Sequence, residues 1–175
     1  LHLARHRSVA AAVKQFEAAV LALADTLRAA GLRIASAESC TGGLVAAACT
    51  SVAGSSDWFE RGFVTYSNDA KMQMLGVDAA LIARHGAVSA EVAQAMAEGA
   101  LAHSQADLTV AVTGIAGPGG ATPGKPVGTV WLAVARAGGA TETELLQLGG
   151  DRAAIREQTV HRALQRLSLH ARQPP

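Results

Sequence analysis

Apolar residues recur at spacings of three and four over 9–30 (Val13, Phe16, Ala19, Val20, Leu23, Leu27), which predicts one amphipathic helix ended by Gly31. The short apolar stretch 32–37 predicts a strand, and the alanine-rich stretch 43–50 a helix packed closely on its neighbours. Residues 53–56 read as a turn. The β-branched and aromatic run 58–67 predicts a second strand, with Gly62 marking a close approach. Two short helices follow, 68–75 under a Ser67 or Asn68 cap and 78–84 under an Asp78 cap. Ser89 opens a helix through His103, with Val92, Ala95, Met96 and Leu101 inward and Glu91 and Glu98 facing solvent. Residues 107–112 predict a buried strand and 126–135 another, paired with 141–148 through a turn at Gly138-Gly139. The stretch 151–170 is a closing amphipathic helix built on Ile155, Val160, Leu164 and Leu167.

Helices alternating with strands, then a hairpin, predict an α/β fold: a three-layer α/β/α sandwich with a mixed, mostly parallel sheet. No repeat or linker divides the chain, so 1–175 is expected to form one domain, with flexible tails at 1–8 and 171–175. Ligands of such sheets sit at the carboxyl ends of the strands. Three turns rich in glycine or hydroxyls follow strands here, at 39–43, 66–71 and 113–125, and they are expected to converge.

Composition narrows the partners. Half of the residues are hydrophobic and only 3% aromatic, so alanine, valine and leucine must fill the core. A net charge of +1 gives no reason to expect nucleic acid or a membrane surface, and no apolar run reaches the roughly 20 residues of a membrane span. The basic start, 1–7, leads into Lys14, Glu17 and Asp25 at helical spacing rather than into a signal peptide's apolar region. Cys40 and Cys49 lie too far apart along one turn and helix to bridge. Free thiols fit a cytoplasmic protein. Its apolar helices suggest a homo-oligomer, a dimer or a trimer. The six histidines have no ligand spacing, and neither a metal nor a cofactor is expected.

Candidate chemistry centres on A-S-A-E-S-C-T-G-G, where a strand runs into a helix start. Amides at such a turn, with the helix dipole behind them, form an anion site. Ser39 there is a helix cap, a phosphate ligand or a nucleophile served by the amides of Cys40, Thr41 or Gly42, and the segment alone leaves the three open. No histidine falls in a glycine-rich turn, so a serine base must come from elsewhere. Lys71, if desolvated, or Tyr66 beside it can take that proton; otherwise Tyr66 is a half-buried strand residue and Lys71 a solvated one. Cys40 is a rival nucleophile lacking a histidine partner. T-G-I-A-G-P-G-G-A-T-P-G-K is a close-approach loop and no Walker fingerprint. Substrate contacts are expected from Cys40, Thr41, Gly42 and Gly43, from Thr113, Gly114, Gly117 and Lys125, and from Arg61 and Arg152. Arg156 is a further cation for a phosphate.

Together, A-E-S-C-T-G-G, G-S-S-x-W-F-E-R-G-F-V-T-Y-S-N-x-A-K, H-G-A-V-S, V-T-G-I-A-G-P-G-G and K-P-V-G-T-V-W resemble the C-terminal domain family of the competence/damage-inducible protein CinA. The likeness runs over about 13–167, and five ordered motifs make it specific. Stand-alone members act as nicotinamide mononucleotide deamidases. The resemblance implies hydrolysis of that nucleotide to nicotinate mononucleotide and ammonia, in pyridine nucleotide salvage, by a Ser-Tyr-Lys set at Ser39, Tyr66 and Lys71. It implies the same three-layer fold. The alternative is a nucleotide- or phosphate-binding regulatory module without catalysis.

Overall fold

Strands Phe59–Val64 (β2), Ile34–Glu38 (β1), Leu108–Gly114 (β3), Thr129–Arg136 (β4) and Glu142–Gln147 (β5) form one sheet in the order β2-β1-β3-β4-β5. The computed structural model of the chain describes residues 8–174; the basic start and nearly all of the expected N-terminal tail lie outside them. β1 pairs in parallel with both β2 and β3, and β4 pairs antiparallel with β3 and β5. Only β4 therefore runs against the others, which is the mixed, mostly parallel arrangement expected.

Alternation along the strands divides the core between the two faces. Ile34, Leu108, Val110, Val112, Leu132 and Val134 pack under helices Glu17–Ala30 (α2), Leu44–Thr50 (α3) and Arg152–Arg172 (α7). The other face is built of small residues: Ala37, Ala111, Ala133 and Ala135. It carries helices Asn68–Leu75 (α4), Ala79–His85 (α5) and Ala90–Ala102 (α6). Small side chains let the layers approach closely. Within that helical layer Gly99 of α6 meets α4 closely: a Cβ there would lie 2.1 Å from the carbonyl oxygen of Leu75. Gly62 likewise lies against Ala46 of α3, whose Cβ would be 3.3 Å from an added Cβ.

Local signals set most boundaries. Ser67, Asp78, Ser89 and Asp151 each accept a hydrogen bond from the first turn of the helix they precede, and Gly31 and Gly76 end α2 and α4 in the left-handed region. The single helix expected over 9–30 is two, Val9–Lys14 (α1, capped by Ser8) and α2. The break seats the Phe16 ring in the core, edge-on to His161 at 4.6 Å. β2 stops at Val64, because the next two carbonyls turn toward Lys71. β4 starts later than expected, since Thr129 folds back on the Pro126 carbonyl through both its amide and its hydroxyl. Residues 171–172 belong to α7 and not to a tail: Ala171 is buried, and Arg136 donates to the carbonyls of His170 and Gln173. No helix among the described residues is long and apolar enough to cross a membrane.

Candidate active site

At the end of β1 the chain carries a buried carboxylate, and a buried carboxylate needs donors. Glu38 finds them in the next turn. Its Oε1 accepts from the Thr41 hydroxyl (2.6 Å) and the Val45 amide (2.7 Å), and its Oε2 from the Ala46 amide (3.1 Å). Burial raises the Glu38 pKa, against the pull of these hydrogen bonds. The anion site expected at the start of α3 is thus filled from within, by Glu38, and is closed to a ligand. The Gly42 amide is taken by the Ser39 carbonyl. No backbone carbonyl among the described residues takes the amides of Cys40 and Thr41, and the Cys40 amide faces its own thiol.

Ser39 follows directly, and its hydroxyl faces α4. Lys71 Nζ donates to Ser39 Oγ at 3.0 Å, to the Thr65 carbonyl at 2.9 Å and to the Tyr66 carbonyl at 3.3 Å. Ser39 Oγ in turn donates to the Tyr66 carbonyl at 3.5 Å. Lys71 is 1% exposed and has no carboxylate partner among the described residues. Burial therefore lowers its pKa, with a small opposing pull from Cys40. Such a lysine gives up its proton more readily than a surface one, which is what a serine's base requires.

Tyr66 is split between two surroundings. Its carbonyl touches Ser39 and Lys71, while its side chain is 62% exposed and its phenol oxygen meets Arg152 Nη2 at 3.2 Å. Arg152, the first residue of α7, also donates to the Gly117 carbonyl at 2.8 Å. The result is a cation held above the serine. A cavity of about 220 Å³ lies among Ser39, Cys40, Tyr66, Asn68, Lys71, Ala87, Val88, Thr113, Gly114, Ala116 and Arg152. All three turns expected to converge do so there.

Other candidates sit elsewhere. Gly42 and Gly43 line a separate groove with Arg156, whose guanidinium donates to the Thr41 carbonyl. Thr41 is buried on Glu38. Arg61 is bound to Glu60 and to the His103 carbonyl on edge strand β2, apart from the cavity. Lys125 donates to the His85 carbonyl at 2.8 Å and is absent from the lining. Cys40 lines the cavity, but burial pushes its thiol up to about 11. Sequence reasoning missed Glu38, because its amide donors lie seven and eight residues on, beyond two glycines, where no local capping pattern points. It also missed Asn68, Ala87, Val88 and Ala116, which lie in the quoted motifs without a titratable group to draw attention.

The CinA C-terminal domain family matches residues 16–170. Nicotinamide-nucleotide amidohydrolase PncC of Escherichia coli (strain K12) is 54% identical over 143 residues, covering 82% of this chain and 87% of that protein. A CinA-like protein of Akkermansia muciniphila is 55% identical over 144 residues, 82% of this chain but 35% of its own. Among solved structures, a CinA superfamily protein from Escherichia coli superposes with a TM-score of 0.84 at 36% identity, over 97% of this chain and 94% of that one. The competence/damage-inducible protein CihA from Agrobacterium tumefaciens gives 0.82 at 44%, over 94% and 96%.

Proposed function

This chain belongs to the CinA C-terminal domain family, and from that premise we propose that it hydrolyses nicotinamide mononucleotide to nicotinate mononucleotide and ammonia. The observation that carries the reading is the 3.0 Å contact between Lys71 Nζ and Ser39 Oγ, with the lysine buried and unpaired by any carboxylate among the described residues. Neutral Lys71 takes the proton of Ser39 as its oxygen attacks the carboxamide carbon. The oxyanion lies against the amides of Cys40 and Thr41, which no backbone carbonyl among the described residues holds. Lys71 returns the proton to the departing ammonia. Water then gives a proton to Lys71 as it attacks the acyl-serine, Lys71 passes that proton to the departing Ser39 oxygen, and nicotinate mononucleotide leaves. Tyr66 contributes its carbonyl to the position of Lys71 and its phenol to the position of Arg152.

Of the four cations considered for the substrate's phosphate, only Arg152 lines the serine's cavity, and it is the one we assign. We also propose, from its apolar helices and free thiols, that the protein is a cytoplasmic homodimer or homotrimer, and that it needs no cofactor.

Ammonia release from nicotinamide mononucleotide, measured for the wild type and for Ser39→Ala, tests the proposal. Turnover by the first and at least about a thousandfold less by the second is expected. A wild type without turnover, or an alanine variant as fast as the wild type, ends it.

A further inference from the structure

Three successive carbonyls at 85–87 are each held by a different side chain. Lys125 Nζ donates to the His85 carbonyl at 2.8 Å, Ser89 Oγ to that of Gly86 at 2.8 Å, and Thr113 Oγ1 to that of Ala87 at 2.9 Å. The donors come from the long loop after β3, from the cap of α6 and from β3 itself. The chain leaves α5 at Gly86 with φ +76° and ψ 159°, a backbone conformation open in practice to glycine alone. A Cβ at Gly86 would stand 3.2 Å from Lys125 Nζ, so the ammonium and the bare turn fit one another. Ala87 and Val88, next in the chain, line the cavity that holds Ser39 and Lys71.

Pinning three successive carbonyls of a short loop fixes where its side chains stand. In a cavity of about 220 Å³, a wall displaced by the breadth of a methyl group changes the fit of an aromatic ring. Lys125 holds the last carbonyl of α5, where a cation is favoured by the helix dipole, and it stays out of the cavity lining. We propose that 86–89 is the wall that fits the pyridine ring, and that Lys125 is its clamp: a positioning residue that acts through the His85 carbonyl and never meets the substrate's phosphate. The inference rests on the nicotinamide-nucleotide reading above.

Two substrates sharing one ring and amide separate the roles: nicotinamide mononucleotide, and nicotinamide riboside, which lacks the phosphate. Lys125→Met keeps the aliphatic stem and loses the donor. It should raise KM on the order of tenfold for both compounds, with kcat within about threefold of the wild type. If the riboside turns over too slowly, its inhibition constant against the nucleotide gives the same comparison. Lys125→Arg, which still donates, should recover most of the loss, and Thr113→Val, which frees the neighbouring carbonyl, should give the same shared rise. A loss confined to the nucleotide means a phosphate contact and overturns the inference. So does an unchanged KM, and so does a fall in kcat alone, which is the signature of partly unfolded enzyme. A wild type that releases no ammonia overturns the reading beneath, and is seen before any variant is made.

Discussion

The Lys71 ammonium nitrogen and the Ser39 hydroxyl oxygen lie 3.0 Å apart, at a point where the lysine's other two partners are both backbone carbonyls. Carbonyls orient an ammonium without holding its charge as a carboxylate would, so burial dominates and the lysine's pKa falls. The rate should therefore rise with pH through that lowered value, as the amine becomes able to accept the serine's proton. Lys71→Arg, which stays charged, should lose at least about a thousandfold at every pH. Stability carries the same sign. Between the lowered value and the ordinary lysine range the unfolded chain binds more protons, so unfolding free energy climbs with pH there and is flat below it, where both states hold the proton. Denaturant titrations of wild type and Lys71→Met across that window should show the slope only in the wild type.

A thiol mechanism makes an opposite claim about the neighbouring residue. Burial holds the Cys40 thiol at about 11, so it is protonated at neutral pH. Cys40→Ala should keep kcat/KM within about threefold, and iodoacetamide should label the folded wild type slowly at pH 8. Loss of activity in that variant would transfer the nucleophile's role from Ser39.

Arg152 links the phenol of Tyr66 to the Gly117 carbonyl above the serine. Arg152→Ala should cost roughly 10–100-fold in kcat/KM for the nucleotide, the scale of one charge-assisted hydrogen bond. The riboside, with no phosphate to lose, should suffer less. Tyr66→Phe should share part of the loss through the same guanidinium, so the double variant falls short of the summed effects. Steady-state kinetics on both substrates decides it.

Glu38→Ala strips the acceptor from the Thr41 hydroxyl and from the amides of Val45 and Ala46, all inside the fold. A loss of about 2–4 kcal/mol is expected, read as a lower denaturation midpoint. Glu38→Gln keeps an acceptor for some of these donors but turns a donor toward another, and should fall between.

Much of this protein is written locally. Asn68–Leu75, with Ser67 before it and Gly76 after it, is read directly from its caps, because capping depends on neighbours a few residues away. The convergence of the three turns follows from strand order, since a parallel strand must deliver its carboxyl end to the same edge as the last. What escaped reading depends on partners far along the chain. Phe16 breaks a helix because His161 waits across the core. Lys125 looks like any loop cation until α5 ends beneath it. Tyr66 reads as a catalytic phenol, yet its inward contact is a carbonyl that any residue would carry.

One glycine far from the chemistry governs it. Lys71 sits one helical turn before Leu75, whose carbonyl presses on Gly99 so closely that no methyl group fits between them. The seat of the helix that carries the amine is thus gauged one turn further along, by the absence of an atom. Inherited changes that thicken that contact would displace the helix bearing Lys71 while leaving every reacting group in the sequence, and inspection of the pocket's residues alone would pass such a chain as intact.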